Sequence, residues 1–297
     1  MSTTSSPRET SARDLASVFL AAAAFAVSGP VAKVIDTVHP IAVASARTGL
    51  AALALFLLDG PAIADAWKRA PVAEWRRAFG AGVLLAAHFA AYLGGLQATS
   101  LAAASAFISL EPVAVVAVAS IAQRIHPRGV EVPGVLLATL GALLVGAAAG
   151  NGEHRLGGDL LVVASVVFYG LYVAVARGVD AALPRRAYAA FVYAAASLVL
   201  VPLVALTPSA HRWPSPRDCA GVLALALLPT LVGHTLIQSA AARVRPAVLA
   251  LVSPGETLGS IAIGACMLHV FPSSIEWVGI AVLLAGATLV AGASRGP

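Results

Sequence analysis

The sequence predicts an all-α membrane protein whose ten transmembrane helices form two inverted five-helix repeats. Composition, the length of the apolar stretches and self-similarity at a fixed offset predict it. Of the 297 residues, 59% are hydrophobic and 11% charged, and mean hydropathy is +0.89. A soluble domain carries roughly a quarter charged residues, so this chain could not cover a water-facing surface.

Crossing the hydrocarbon core takes about 20 apolar residues in a helix. Ten stretches approach or reach that length: 14–35, 41–58, 78–97, 100–122, 131–149, 158–177, 187–206, 219–241, 246–269 and 275–293. Pro, Gly or charge marks most boundaries, as at Asp36 and Pro40, Asp59-Gly60-Pro61, Pro127, Pro184, Pro208 and Pro272. The polar residues 1–13 read as a disordered cytoplasmic tail. The apolar run from Leu15 reads as a retained first helix, not a removable signal.

Lys and Arg set the orientation. With a cytoplasmic N-terminus, fourteen of them fall in cytoplasmic segments, three (Arg155, Arg212 and Arg217) outside, and two, Lys33 and Arg47, within spans. Both termini are therefore expected in the cytoplasm. Trp67 and Trp75 lie near inner span ends and Trp213 and Trp277 near outer ones, where amphipathic rings are favoured. The pI near 9.7 comes from scattered loop residues with no basic run, so no nucleic-acid partner is expected.

Sliding the chain by 145 residues aligns its last two predicted helices of each half without a gap. Glu111 meets Glu256, Pro127 meets Pro272, Glu131 meets Glu276, Gly134 meets Gly279 and Gly141 meets Gly286. The same offset places Asp14-Leu15 on Asp159-Leu160. The repeats are expected over 14–149 and 150–297. Each holds an odd number of helices, so the copies cross in opposite directions, and such repeats place a binding site near the midplane.

Ionisable residues inside spans are costly and usually face a cavity or one another. Glu111 lies about eleven residues into its stretch, roughly 16 Å deep, and Glu256 at the matching depth from the other side. Each could bind a proton or a substrate ammonium group, or hydrogen-bond backbone freed by Pro112 or Pro254. Lys33 and Arg47 could attract a substrate carboxylate; Lys33, near a span end, could equally snorkel. His88 and His234 are candidates for proton relay or for buried packing. Gln97 and Gln238, late in the third and eighth stretches, could line the path or join helices. Phe25, Tyr92, Phe168, Tyr169 and Tyr172 could wall an apolar cavity, and Gly255-x-x-x-Gly259 allows close helix approach.

Lys33 late in the first helix, Pro40 opening the second, Arg47 seven residues on, and Ser109-Leu110-Glu111-Pro112-Val113 in the fourth are together similar to the EamA-type drug/metabolite transporters. The resemblance covers residues 14–293. It implies a bacterial inner-membrane exporter of amino acids, other metabolites or toxic compounds, in several members driven by protons. The expectation is thus a secondary transporter of a small amphiphilic metabolite such as an amino acid. A multidrug or nucleobase exporter of the same fold is the alternative. An intramembrane enzyme is disfavoured: His88, His234, Glu111 and Glu256 lie on four different helices, and no His-Glu-x-x-His or Gly-x-Ser-x-Gly occurs. No nucleotide-binding loop occurs, and no metal or cofactor is expected. The partners expected are a small-molecule substrate, protons and the lipid bilayer; the oligomeric state stays open, a monomer being sufficient.

Overall fold

The computed structural model describes residues 11–99, 104, 107–148, 156–179, 183–207, 213–268 and 273–293. All regular elements among them are helical. Eight segments are long and apolar enough to cross a membrane, and Glu111–Gln123 and Glu131–Val145 are shorter apolar helices. Together they make ten spans.

Span 1 joins Ala12–Ala26 to Ser28–Val34. Span 2 is Pro40–Arg69, span 3 Val72–Ala98, span 4 Glu111–Gln123 and span 5 Glu131–Ala148. Span 6 is Leu156–Arg177 and span 7 Arg185–Leu206. Span 8 strings together Pro216–Leu225, a π-helical stretch Ala226–His234 and Thr235–Ala241. Span 9 consists of Pro246–Leu249 and Val252–Leu268, and span 10 is Ser274–Ala293.

Local chemistry accounts for the departures from the expected bounds. Span 1 begins inside the expected tail because Ser11 caps it, its hydroxyl accepting Asp14 N–H at 3.2 Å. Residues 1–10 of that tail lie outside the described residues. Span 2 does not end at Asp59-Gly60-Pro61: it kinks at Asp59 (φ −143°, ψ 24°), two residues before Pro61, which lacks the amide hydrogen, and runs on to Arg69. Span 4 differs most. Ser109 and Leu110 form a turn and the helix opens at Glu111, with Pro112 in the first turn, where a missing N–H is harmless. Glu111 therefore stands at a helix start, not eleven residues into an unbroken helix. Residues 100–103, 105 and 106, at the start of the expected fourth stretch, lie outside the described residues.

The halves pack as two copies related by inversion of direction. Span 5 lies against span 10, and span 2 against span 7. The pairs 3–6 and 8–1, 4–6 and 9–1, and 3–7 and 8–2 are each exchanged when the halves are swapped. Glycines fix the closest approach. A Cβ at Gly141 would sit 2.3 Å from Leu283 N and 2.5 Å from Gly279 O. One at Gly286 would sit 2.3 Å from Ala138 N and 2.5 Å from Gly134 O. Gly134 and Gly141 thus meet the repeat mates of one another, as antiparallel neighbours about a two-fold axis must. Gly255 and Gly259 similarly rest on Ala22 and Ala26, with added Cβ atoms 2.7 and 2.5 Å from theirs.

Helix termini repeat as well. Glu131 accepts Arg128 N–H at 2.7 Å, and Glu276 accepts Ser273 N–H at 2.7 Å. This shared cap is a physical reason for the matched glutamates in the sequence. At one end of the bundle Arg77 reaches Gly178 O (3.1 Å), Arg177 reaches Val244 O (2.7 Å) and Arg243 reaches Asp14 (2.8 Å). We call this the basic end. Thr37–Asp218 and Thr99–Asp159 hydrogen bonds tie the opposite end.

Candidate functional site

The chain breaks that distort spans 1, 4, 8 and 9 surround one cavity. Pro30 leaves Ala26 O without its helical donor, and Ser260 Oγ of span 9 supplies one at 2.8 Å. Span 8 contains Pro229, which removes another helical donor, and the surrounding turns widen into the π-helical stretch. There Thr230 Oγ1 donates to Leu225 O, five residues back, at 2.7 Å. Tyr193 of span 7 reaches the same stretch, its hydroxyl 2.9 Å from both Thr230 O and Thr235 Oγ1.

Arg47 fixes on this distorted turn. Its Nε donates to Thr230 Oγ1 at 2.8 Å, and its guanidinium carbon lies 4.2 Å from the centroid of Phe89. The side chain is 4% exposed. One donor and one face of the guanidinium are thus engaged by neutral partners, a hydroxyl and a π cloud, and the cation shares the cavity lining with Glu256.

Glu111 and Glu256 line the same cavity from repeat-related positions. Glu111 is buried, with Ser253 of the other half beside it; Glu256 is half-buried. His88 and His234 contribute from spans 3 and 8. His88 Nδ1 lies 3.0 Å from Ser165 O. A carbonyl can only accept, so Nδ1 carries the hydrogen and, in the neutral ring, Nε2 is left as an acceptor. His234 stands edge-on to Phe25 (4.7 Å) and Phe89 (5.3 Å), and its buried Nδ1 has no partner among the described residues. Phe25, Phe89, Tyr92 and Tyr169 complete the walls, with Ser28 and Ile108.

The room inside for the centres of water molecules is about 40 Å³. That holds a few waters at roughly 10–15 Å³ each, far short of the roughly 300 Å³ or more of a ligand pocket.

Of the thirteen residues the sequence singles out, eight line this cavity: Phe25, Arg47, His88, Tyr92, Glu111, Tyr169, His234 and Glu256, while Phe168 does not. Tyr172 and Gln238 stand behind it, both fully buried, with Gln238 Nε2 donating to Tyr172 OH at 2.7 Å. Gln97 is exposed and makes no part of the lining. Its helix positions explain this: it follows His88 by nine residues, about 900° of helical turn, and so faces away. The Lys33 side chain lies outside the described residues. Thr230, Tyr193, Phe89 and Ser253 were not anticipated. Pro229, a helix breaker inside an apolar run, was the one local signal for the first two.

The EamA-like transporter family model matches the sequence twice, at residues 14–147 and 156–292. A solved structure aligns over 95% of this chain and 96% of its own, with TM-score 0.76 and 19% identity, a likeness of fold alone. No curated protein matches the sequence.

Proposed function

The chain belongs to the EamA-like transporter family, and from that premise we propose that it is a secondary transporter exporting a small amphiphilic metabolite, amino acids first, in exchange for protons. In this reading the basic end faces the cytoplasm of a bacterium, which the distribution of Arg and Lys supports. Both termini are then cytoplasmic, in the inner membrane.

The observation that carries this reading is one cation and two carboxyls in a small, aromatic-walled cavity between inverted repeats. Arg47 offers a substrate carboxylate the guanidinium donors that Thr230 leaves free. Glu111 and Glu256 offer an ammonium group, or protons, their acceptors. The rings take the apolar side chain. Rocking of one repeat against the other opens the cavity alternately to either face.

Counterflow in proteoliposomes tests the substrate class. Vesicles preloaded with one amino acid should accumulate radiolabelled amino acid from a panel of twenty. Accumulation of none, with uptake of nucleobases or lipophilic cations instead, would overturn the substrate assignment.

A further inference from the structure

His88 and His234 stand at like places in spans 3 and 8, one residue off the repeat offset of 145, and both line the cavity. The protein answers them differently. His88 Nδ1 is held by Ser165 O at 3.0 Å. Nδ1 of His234, a residue only 3% exposed, has no hydrogen-bond partner among the described residues.

The packing around His234 gives the reason. It closes the π-helical stretch Ala226–His234. Gly233 before it leaves the room that Phe25 fills, since a Cβ there would sit 2.6 Å from Cε1 of that ring. Phe25 and Phe89 stand edge-on to the imidazole, with Tyr172 and Tyr169 at 5.7 and 6.4 Å between ring centroids. The Tyr172 hydroxyl is engaged by Gln238. These rings hold the imidazole in place without satisfying its nitrogen. A buried polar group left bare costs free energy, so one kept in a cavity wall calls for a partner that arrives with the ligand.

The other polar groups of the cavity already have a match in the substrate proposed above. Arg47 takes a carboxylate, and Glu111 and Glu256 take an ammonium group or protons. His234 shares a neighbour with Arg47: the Phe89 centroid lies 4.2 Å from the guanidinium carbon and 5.3 Å from the imidazole centroid. A substrate anchored on Arg47 and spread along Phe89 brings the atoms beyond its α-carbon toward His234.

We propose that His234 determines specificity by hydrogen-bonding a polar group in the substrate's side chain, so that amino acids with a side-chain hydroxyl or amide are preferred to those of like shape without one. The proposal rests on the reading of the substrate as an amino acid. A neutral imidazole has one donor and one acceptor nitrogen. A hydroxyl or an amide can answer either, and a hydrocarbon side chain answers neither. A site built to bond such a group rejects the analogue lacking it far more strongly than an apolar pocket rejects a missing methylene.

The test compares amino acids of matched shape in counterflow: threonine with valine, serine with alanine, and asparagine with leucine. In at least one pair the parent should carry the polar member at least about tenfold faster at low concentration. His234→Leu should bring that ratio close to unity, chiefly by raising KM for the polar member, with the apolar member carried as by the parent. No preference in any pair with the parent overturns the proposal. So does an unchanged ratio in His234→Leu, even where both rates fall together. If that variant fails to reach the membrane, His234→Phe is read by the same ratio. Carriage of the polar and apolar members alike would sink the role of His234 and leave the amino-acid reading standing; carriage of no amino acid would sink both.

Discussion

Arg47 Nε donates to Thr230 Oγ1 at 2.8 Å inside a π-helical turn. The guanidinium of span 2 is thus aimed by a distortion of span 8, from the other repeat. The same hydroxyl passes its own hydrogen to Leu225 O, so the orientation of the cation depends on the widened turn that Pro229 imposes.

Thr230→Val keeps the shape of that side chain and removes both hydrogen bonds. Hydrogen bonds to charged groups are worth about 1.5–3 kcal/mol. The apparent affinity for a carboxylate-bearing substrate should fall by roughly tenfold or more, with the protein still in the membrane. Arg47→Gln should weaken the same transport further. Uptake kinetics beside expression level check both; an unchanged KM in Arg47→Gln would remove the cation from recognition.

Glycine packing between spans 5 and 10 gives a prediction about stability. Gly141→Ala drives a Cβ to 2.3 Å from Leu283 N, backbone that cannot step aside. Overpacking of this kind costs about 1–3 kcal/mol, so the detergent-solubilised variant should melt lower than the parent. Gly94→Ala, whose Cβ would meet its nearest atom at 3.9 Å, is the control and should melt as the parent does. Equal melting of all three would mean that the repeats do not depend on this contact.

Ionisable residues in apolar runs are conspicuous, which is why Arg47, Glu111, Glu256, His88 and His234 were legible in the sequence. The matching Gly and Glu positions at an offset of 145 likewise exposed the repeat, because close packing and capping constrain those residues more than aliphatic ones. Depth was less legible. Counting residues from 100 assumed a continuous helix, and the turn at Ser109 and Leu110 breaks it. Thr230 and Tyr193 carry no charge, and their roles arise only when Pro229 widens span 8. Gln97 was paired with Gln238 by place along their spans, whereas helical phase puts Gln97 outside and Gln238, four residues after His234, on the buried face.

Sidedness follows from the charge distribution and has a direct check. Single cysteines at positions 69 and 185 should resist an impermeant maleimide in intact cells, and one at position 155 should react. Labelling at 69 or 185 but not at 155 would invert the orientation, and the basic end would then face outward.

Coupling is expected to pass through Glu111. It opens span 4 at a break in the helix, lies beside Ser253 from the other half, and lines the cavity with its repeat mate Glu256. Any rocking of one half against the other moves Ser253 relative to Glu111, so the carboxyl's surroundings differ between the two open states. A proton taken up from one face and released to the other, in competition with substrate, is the requirement for exchange. Glu111→Gln preserves the shape and the hydrogen bonding of the protonated acid and removes its titration. The variant should insert, bind substrate and exchange labelled for unlabelled substrate across the membrane, since neither step needs a net proton movement. Accumulation against a gradient driven by a pH difference should be lost. Measuring both activities in the same proteoliposomes separates the cases. Loss of exchange together with accumulation would make Glu111 a recognition or scaffold residue, while gradient-driven accumulation at the parent level would remove it from coupling and leave Glu256 as the carboxyl to test.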